Sequence, residues 1–95
     1  MIEKTEKTII NQFLADHPAW TLDNKELSIV RDLTFGNFNE AFAFMTSVAM
    51  HAEKKDHHPE WENVYNRVRI KLTTHDCGGI SDRDLDMAEF IDALV

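Results

Sequence analysis

The segment from residue 64 to residue 73, VYNRVRIKLT, alternates apolar and polar side chains at nearly every position. Val64, Val68, Ile70 and Leu72 fall on one side, and Asn66 interrupts them once. Because successive side chains of a strand point to opposite faces, this pattern predicts one long strand that is buried on one face. We therefore expect a sheet that is covered on one face only, which is typical of antiparallel sheets.

The remaining elements follow from periodicity and from signals at their ends. They are a helix over 3–16, strands over 20–22 and 26–34, a helix over 38–54 and a helix over 82–94. Residues 55–62 are predicted to be a loop that Pro59 fixes. The two short early strands and the hairpin turn between them favour an antiparallel sheet with the helices packed on one face. We expect an α+β domain with a four-stranded antiparallel sheet and three helices.

The apolar side chains of the helices predict which faces are buried. In the middle helix we expect a wide stripe to pack on the sheet: Phe38, Ala41, Phe42, Met45, Val48, Ala49 and Ala52. Phe44 lies off that stripe and is expected to be exposed, as a contact for another subunit. In the last helix, which a capping-box variant at Ser81 and Asp84 opens, the inward residues are Leu85, Ala88, Ile91 and Leu94.

Two polar residues of these elements need an interpretation of their own. Arg31 interrupts the apolar face of the strand over 26–34, and we interpret it as a side chain that extends to solvent at a sheet edge. A contact between Arg31 and a partner or ligand is the alternative. His51, near the end of the middle helix, is interpreted as solvated or as favoured by the helix dipole.

Length and charge exclude several classes of function. The 95 residues are enough for one domain, over 1–95. The net charge of −7 disfavours direct binding of nucleic acid, which needs a concentrated Lys/Arg face. The lone Cys77 predicts a reducing compartment, and no apolar run approaches the roughly 18 residues of a membrane span. We expect a cytoplasmic protein without membrane association.

Three of the five histidines lie in the segment 53–84: His57, His58 and His75. Imidazole can act as acid or base near neutrality, so three of them at one place could divide the work of donor, acceptor and orienting group. Glu53, one helical turn before His57, could fix the tautomer of that ring. Zinc is an alternative, although adjacent side chains rarely share one metal. A fortuitous cluster is the other alternative.

The order and spacing of these residues closely resemble the pterin-4a-carbinolamine dehydratase family. The family pattern is an acidic residue, a His-His-Pro triplet after three spacers, an aromatic residue, another histidine and a later aspartate. In this chain the pattern is matched by Glu53, His57, His58, Pro59, Tyr65, His75 and Asp84. Trp61, the Thr73-Thr74-His75 triplet and the FGNFNEAFAF start of the middle helix also resemble the family.

The resemblance implies dehydration of a 4a-hydroxytetrahydropterin to a quinonoid dihydropterin, without metal or organic cofactor. His57 and His75 would perform the proton transfers, and His58 would position the hydroxyl group or the ring. The other expected substrate-binding residues either tune the histidines or shape the pterin pocket. They are Glu53, Asp56, Pro59, Trp61, Thr73, Thr74, Asp76 and Asp84. Cys77, in the loop after His75, is expected to be a bystander.

The resemblance also implies partners. Family members form dimers through their strands and tetramers through a helical bundle, so we expect a homodimer or homotetramer. Some members bind a homeodomain transcription factor as a dimerisation cofactor, which makes a protein-interaction role the alternative function. An aromatic amino acid hydroxylase is a second candidate partner. The type of pterin side chain that is accepted stays open at this point.

Overall fold

The computed structural model describes residues 2–95 and confirms the predicted α+β fold with a four-stranded antiparallel sheet. In chain order the elements are α1 (Lys7–Asp16), β1 (Thr21–Leu22), β2 (Ile29–Thr34), α2 (Phe38–Lys55), β3 (Glu60–Val64), β4 (Arg67–Leu72), a 3₁₀ helix (His75–Cys77) and α3 (Asp82–Leu94). Within this part of the chain, none of the helices is long and apolar enough to cross a membrane.

The strands lie in the order β1-β2-β4-β3, so β2 and β4 form the centre of the sheet. Their register runs from the pair Ile29–Leu72 to the pair Thr34–Arg67. The predicted alternation of β4 is confirmed, because Val68, Ile70 and Leu72 are buried while the side chains between them are exposed. The helices cover this face and complete one hydrophobic core.

The prediction of one long strand from residue 64 was wrong. A two-residue turn, Tyr65-Asn66, separates β3 from β4, and β3 begins at Glu60, within the residues that were predicted to be a loop. The turn pairs Val64 with Arg67, so Val64 shares the outward face of Arg67 and is exposed. In a hairpin with a two-residue turn, the residues on either side of the turn pair and lie on the same face of the sheet. The inward positions therefore shift by one residue across the turn, although the alternation along the sequence continues without a break. Trp61, paired with Ile70, therefore faces the core.

Both α1 and β2 begin later than predicted. The Asp23 carboxylate accepts hydrogen bonds from the Leu27 backbone N–H and the Ser28 hydroxyl, each at 2.8 Å, and so folds residues 23–28 into a turn. Leu27, which falls within the strand predicted over 26–34, is exposed on this turn. Ahead of α1, the Thr5 N–H donates to the Ile80 carbonyl at 2.8 Å, which holds this segment outside the helix.

The buried face of α2 differs from the predicted stripe. Its buried residues are Ala41, Phe44, Val48 and Ala52. Phe44 is 7% exposed and Phe42 is 55% exposed, which reverses the prediction for both rings. The helix carries apolar residues on two overlapping faces, so periodicity alone could not choose between them. Phe38 and, at the end of α3, Leu94 were also predicted to be inward and are exposed.

Arg31 does not lie at a sheet edge, as predicted, because β2 is a central strand. It lies on the helix-covered face, opposite Ile70, and its guanidinium forms an ion pair with Asp92 of α3. The same Asp92 carboxylate accepts a hydrogen bond from Trp20 Nε1 at 2.8 Å. Arg31 thus connects the sheet to α3 through a shared carboxylate.

His51 is not simply solvated. Its imidazole stacks on the ring of Phe90, with ring centroids 3.7 Å apart and planes inclined by 4°, and so connects α2 to α3. Burial of His51, together with the charges of Lys55 and Lys54, lowers the pKa of the imidazole below its ordinary value.

Truncation of the two phenylalanines of α2 tests which face is buried. We expect Phe44→Ala to reduce the free energy of unfolding by about 3–5 kcal/mol, because it removes a buried ring and leaves a cavity. Phe42→Ala, the matched control on the exposed face, should change the free energy of unfolding of the monomer by less than about 1 kcal/mol, so both variants are unfolded at a protein concentration too low for self-association. Urea unfolding of both variants measures the difference, and equal losses would contradict the assigned face.

The lowered pKa of His51 predicts a dependence of stability on pH. Since the imidazole is harder to protonate in the folded chain, the unfolded chain binds the proton first as the pH falls. The free energy of unfolding should therefore decrease as the pH drops below about 6.5, the ordinary value for histidine. We expect His51→Phe to lose less of this free energy than the wild type between about pH 8 and about pH 5. Denaturation at each pH measures it, and parallel curves would contradict the prediction.

Candidate active site

The three histidines of the segment 53–84 line one open cavity of about 350 Å³. His57 and His58 follow the end of α2, and His75 follows the end of β4. The other residues of the wall come from the N-terminal segment, the same two loops and the first turn of α3. They are Ile2, Asp56, Thr73, Thr74, Asp76 and Arg83.

The end of α2 determines where His57 lies. Asp56 adopts a left-handed conformation, with φ 52° and ψ 42°, and its N–H bonds back to the carbonyls of Ala52 and Glu53. The His57 N–H also bonds to the Ala52 carbonyl, at 3.1 Å. A single residue in the left-handed conformation commonly ends an α-helix and reverses the direction of the chain. It brings His57 and His58 to the cavity as soon as the helix ends.

A second tight turn brings His75 to the same cavity. The Thr74 N–H donates to the Gly79 carbonyl at 2.7 Å, which closes the loop that contains the 3₁₀ helix. Gly78, with φ 70°, ends that helix in a conformation that glycine adopts without strain. Cys77 lies within the loop, half-buried, with its thiol 3.5 Å from the Thr74 and Gly79 carbonyl oxygens.

The carboxylate of Asp84 connects these segments. Its Oδ1 lies 2.6 Å from His57 Nε2, and its Oδ2 accepts from the Thr74 hydroxyl at 2.7 Å and the Ser81 backbone N–H at 3.0 Å. Asp84 is fully buried and also completes the capping box at the start of α3. Because an ionised carboxylate only accepts hydrogen bonds, His57 donates from Nε2 and presents Nδ1 as its other ring nitrogen.

The other two histidines also pair with carboxylates, but nearer the surface. His58 Nε2 lies 3.0 Å from Glu53 Oε1, and His75 Nε2 lies 3.1 Å from Glu60 Oε2. The side chains of His58 and His75 are 57% and 83% exposed, whereas that of His57 is 10% exposed. A carboxylate on one ring nitrogen orients an imidazole and leaves the other nitrogen available, so all three rings are suited to proton transfer.

Several residues of the expected substrate-binding set do not line the cavity. Glu53 pairs with His58 instead of His57, and Pro59 links the histidine pair to the start of β3. Trp61 packs against the hydrophobic core, away from the cavity wall. The remaining residues of the predicted set either line the cavity or, in the case of Asp84, support His57 from behind it.

Sequence reasoning missed Ile2, Glu60, Ser81 and Arg83 as residues of the site. Ser81 could have been found, because it was already predicted to cap the same helix that carries Asp84. Arg83 precedes Asp84 in the first turn of that helix, which is a weak signal. The role of Glu60 depends on β3, which the sequence did not reveal, and nothing in the sequence indicates Ile2.

Among residues 2–95, no group of three or more His, Cys, Asp or Glu side chains is arranged so that it could hold a metal ion. A larger cavity, of about 460 Å³, lies near the β3–β4 turn. Its wall includes the exposed ion pair of Arg69 with Asp32, in which each charged group is already paired with the other. The cavity with three histidines is therefore the better candidate for an active site.

Comparison with known proteins gives one consistent result. Residues 3–94 match the family model described as pterin 4 alpha carbinolamine dehydratase. A protein of Prochlorococcus marinus (strain NATL2A), provisionally named pterin-4-alpha-carbinolamine dehydratase, is 48% identical over 95 residues, which cover 100% of this chain and 98% of the relative. A protein of Rhodospirillum rubrum with the same provisional name is 44% identical over 95 residues, covering 100% and 99%.

Two solved structures share the fold. A crystal structure of a transcriptional coactivator/pterin dehydratase from Brucella melitensis superposes with a TM-score of 0.91 and 38% identity, covering 95% of this chain and 96% of that one. A pterin dehydratase-like protein identified as a RuBisCO assembly factor in the alpha-carboxysome superposes with a TM-score of 0.68 and 23% identity, covering 80% and 88%. The second likeness concerns the fold alone.

The buried position of Asp84 predicts a large cost of removing its carboxylate. We expect Asp84→Ala to reduce the free energy of unfolding by about 2–4 kcal/mol, because the Ser81 N–H and the Thr74 hydroxyl lose a buried acceptor. Asp86→Ala, at an exposed position of the same helix, should change it by less than about 0.5 kcal/mol. Urea unfolding compares the two, and similar losses would show that the network contributes little.

Proposed function

Since the chain belongs to the pterin-4-alpha-carbinolamine dehydratase family, we propose that it dehydrates a 4a-hydroxytetrahydropterin to the quinonoid dihydropterin and water. The observation that carries the proposal is the single cavity in which three imidazoles meet, each backed by its own carboxylate. Loss of a hydroxyl group as water with release of a second proton needs a proton donor and a proton acceptor, and imidazoles can serve as both near neutrality.

The chemistry assigns a task to each proton. The 4a-hydroxyl group leaves as water and needs a proton at its oxygen, while N5 gives up its proton as the C4a–N5 double bond forms. One proton is taken up and one is released, so the balance closes without an oxidant or reductant. In this proposal neither a metal ion nor an organic cofactor takes part.

We propose that His57 accepts the proton of N5 and that His75 donates a proton to the 4a-hydroxyl group. When His57 accepts a proton at Nδ1, the buried Asp84 carboxylate at Nε2 compensates the charge that forms. His75 is exposed, so it can recover a proton from water after each turnover. His58, held by Glu53 on the same wall, would position the hydroxyl group or the ring.

The remaining wall residues would bind the pterin. Thr73, Thr74 and Asp76 line the same cavity as the two assigned histidines and would offer backbone groups, hydroxyl oxygens as acceptors and a carboxylate. Asp56 contributes to the wall and also makes the left-handed turn that aims His57. Pterins present several ring nitrogens and an exocyclic amine, which such groups can recognise by hydrogen bonds.

A second candidate function is binding of a protein partner. The similar protein from Brucella melitensis is described as a transcriptional coactivator as well as a pterin dehydratase. In this chain Phe38 and Phe42 lie together on the exposed side of α2, with ring centroids 5.6 Å apart, and exposed aromatic pairs of this kind are common in protein interfaces. The same surface suits the homodimer or homotetramer that we propose for this chain.

Replacement of the assigned histidines tests the enzymatic proposal. We expect His57→Ala and His75→Ala each to lower the dehydration rate by about 10²- to 10⁴-fold, because each removes a proton-transfer group. His17→Ala is the matched control, since that histidine stacks on Phe13 of α1 outside the cavity. The assay follows quinonoid dihydropterin by absorbance, from freshly generated carbinolamine and with a metal chelator present.

Two outcomes of this assay would change the assignment. A folded His57→Ala or His75→Ala variant with an intact rate would remove that residue from the proton transfers. A folded wild type that does not accelerate dehydration at all would reject the enzyme and leave the partner-binding role.

A further inference from the structure

Among the described residues that line the histidine cavity, the one of about 350 Å³, Ile2 alone has a purely hydrocarbon side chain. The other residues of the wall carry imidazole, hydroxyl, carboxylate or guanidinium groups. Such groups can form hydrogen bonds with the edge of a heterocyclic ring, whereas the two faces of the ring need apolar contact. Ile2 is therefore the residue of the wall best suited to contact a ring face.

The segment of residues 2–5, which we call the strap, is attached beside the cavity. The Thr5 backbone N–H donates to the Ile80 carbonyl at 2.8 Å. Ile80 is buried and directly precedes the cap of α3, the helix whose first turn carries Asp84. Because the Asp84 carboxylate also holds His57, the strap is attached to the same part of the structure that orients this histidine.

A second contact sets the direction of the strap. Lys4 lies so close to Gly79 that a Cβ atom added to the glycine would be 2.9 Å from Lys4 Cε. Lys4 is thus beside Gly79 and Thr5 is beside Ile80, so the strap runs alongside the loop after β4 in the same direction. Going back along both segments, Ile2 reaches the 3₁₀ helix, which contributes to the same wall of the cavity.

The side chain of Ile2 is half-buried, and it lines the cavity, so part of its surface is free to contact a ligand. Trp61, the aromatic residue expected to shape the pterin pocket, packs against the hydrophobic core instead. A ring placed against Ile2 would remove apolar surface of both partners from water, which favours binding. The apolar contact expected from Trp61 is thus available from Ile2.

We propose that Ile2 positions the pterin by packing against one face of its ring while the histidines act at the C4a–N5 edge. This inference rests on the proposed dehydratase function and adds to it a residue from outside the segment 53–84. An apolar contact with the ring face is equal in the bound substrate and in the transition state. Such a contact lowers KM and leaves kcat unchanged.

Replacement of Ile2 by serine tests this proposal in the dehydration assay. We expect Ile2→Ser to raise KM about 5- to 10-fold, as for the loss of one or two buried methylene groups, with kcat unchanged. Ile2→Val keeps most of the apolar surface, so its KM should stay within about twofold of the wild-type value. Ile9→Ser is the matched control, since Ile9 is exposed on α1 and does not line the cavity.

Three results would overturn the role of Ile2. They are an unchanged KM in Ile2→Ser, an equal rise of KM in Ile9→Ser, and a rise in Ile2→Val as large as that in Ile2→Ser. Ile2 lies outside the helices and strands, so the substitutions should leave the fold intact, and the backbone amide spectrum of each variant checks this.

A binding measurement separates this proposal from the enzymatic one. An unreactive 7,8-dihydropterin with a methyl group at C6 is titrated into protein whose isoleucine methyl groups are labelled with ¹³C. We expect the methyl signals of Ile2 to shift and those of Ile9 to stay in place. A shift of Ile2 without any turnover by the wild type would reject the dehydratase and keep Ile2 as a ligand contact. Turnover by the wild type with no shift of Ile2 at saturating ligand would overturn the role of Ile2 and keep the dehydratase.

Discussion

The buried carboxylate of Asp84 is the interaction on which both the fold and the site depend. It starts α3 by accepting from the Ser81 N–H, holds the end of β4 through Thr74, and orients His57 after α2. A charge without exposure to water is tolerated only when its hydrogen bonds are nearly complete. The three segments must therefore meet in one arrangement, and that arrangement forms the histidine cavity.

The three imidazole–carboxylate pairs differ in burial and in the distance between nitrogen and oxygen. The His57 pair is buried and short, so its geometry is fixed before substrate arrives, as efficient proton transfer requires. The pairs of His58 and His75 are exposed and longer, so their rings can adjust to a ligand and exchange protons with water. A cavity with one fixed imidazole, His57, and two that can move, His58 and His75, suits the proposed reaction, in which a hydroxyl group leaves as water.

Local patterns predicted the fold class and the histidine cluster, but failed where two parts of the chain must meet. The alternation of β4 and the cap at Ser81 depend on neighbouring residues, and both are present. The buried face of α2 was predicted wrongly, because the sequence allows either Phe42 or Phe44 to face the core and only the packing of the helix on the sheet decides between them. The sequence indicated that Glu53 and Asp84 would support the histidines, but not which carboxylate pairs with which ring, since Glu53 lies within reach of two histidines and Glu60 belongs to an unpredicted strand.

Residues in left-handed backbone conformations lie where the chain must turn toward the site. Described non-glycine residues with positive φ are Glu26, Asp56 and Tyr65, at 60°, 52° and 52°. Each conformation costs on the order of 1 kcal/mol. Asp56 aims His57, and Glu26 lies in the turn between β1 and β2. Tyr65 sets which face each residue of β3 occupies, so that Glu60 points outward and reaches His75. Glycine would relieve this strain but would also loosen each turn, so the rigidity of the turns and the orientation of the histidine side chains have a common origin.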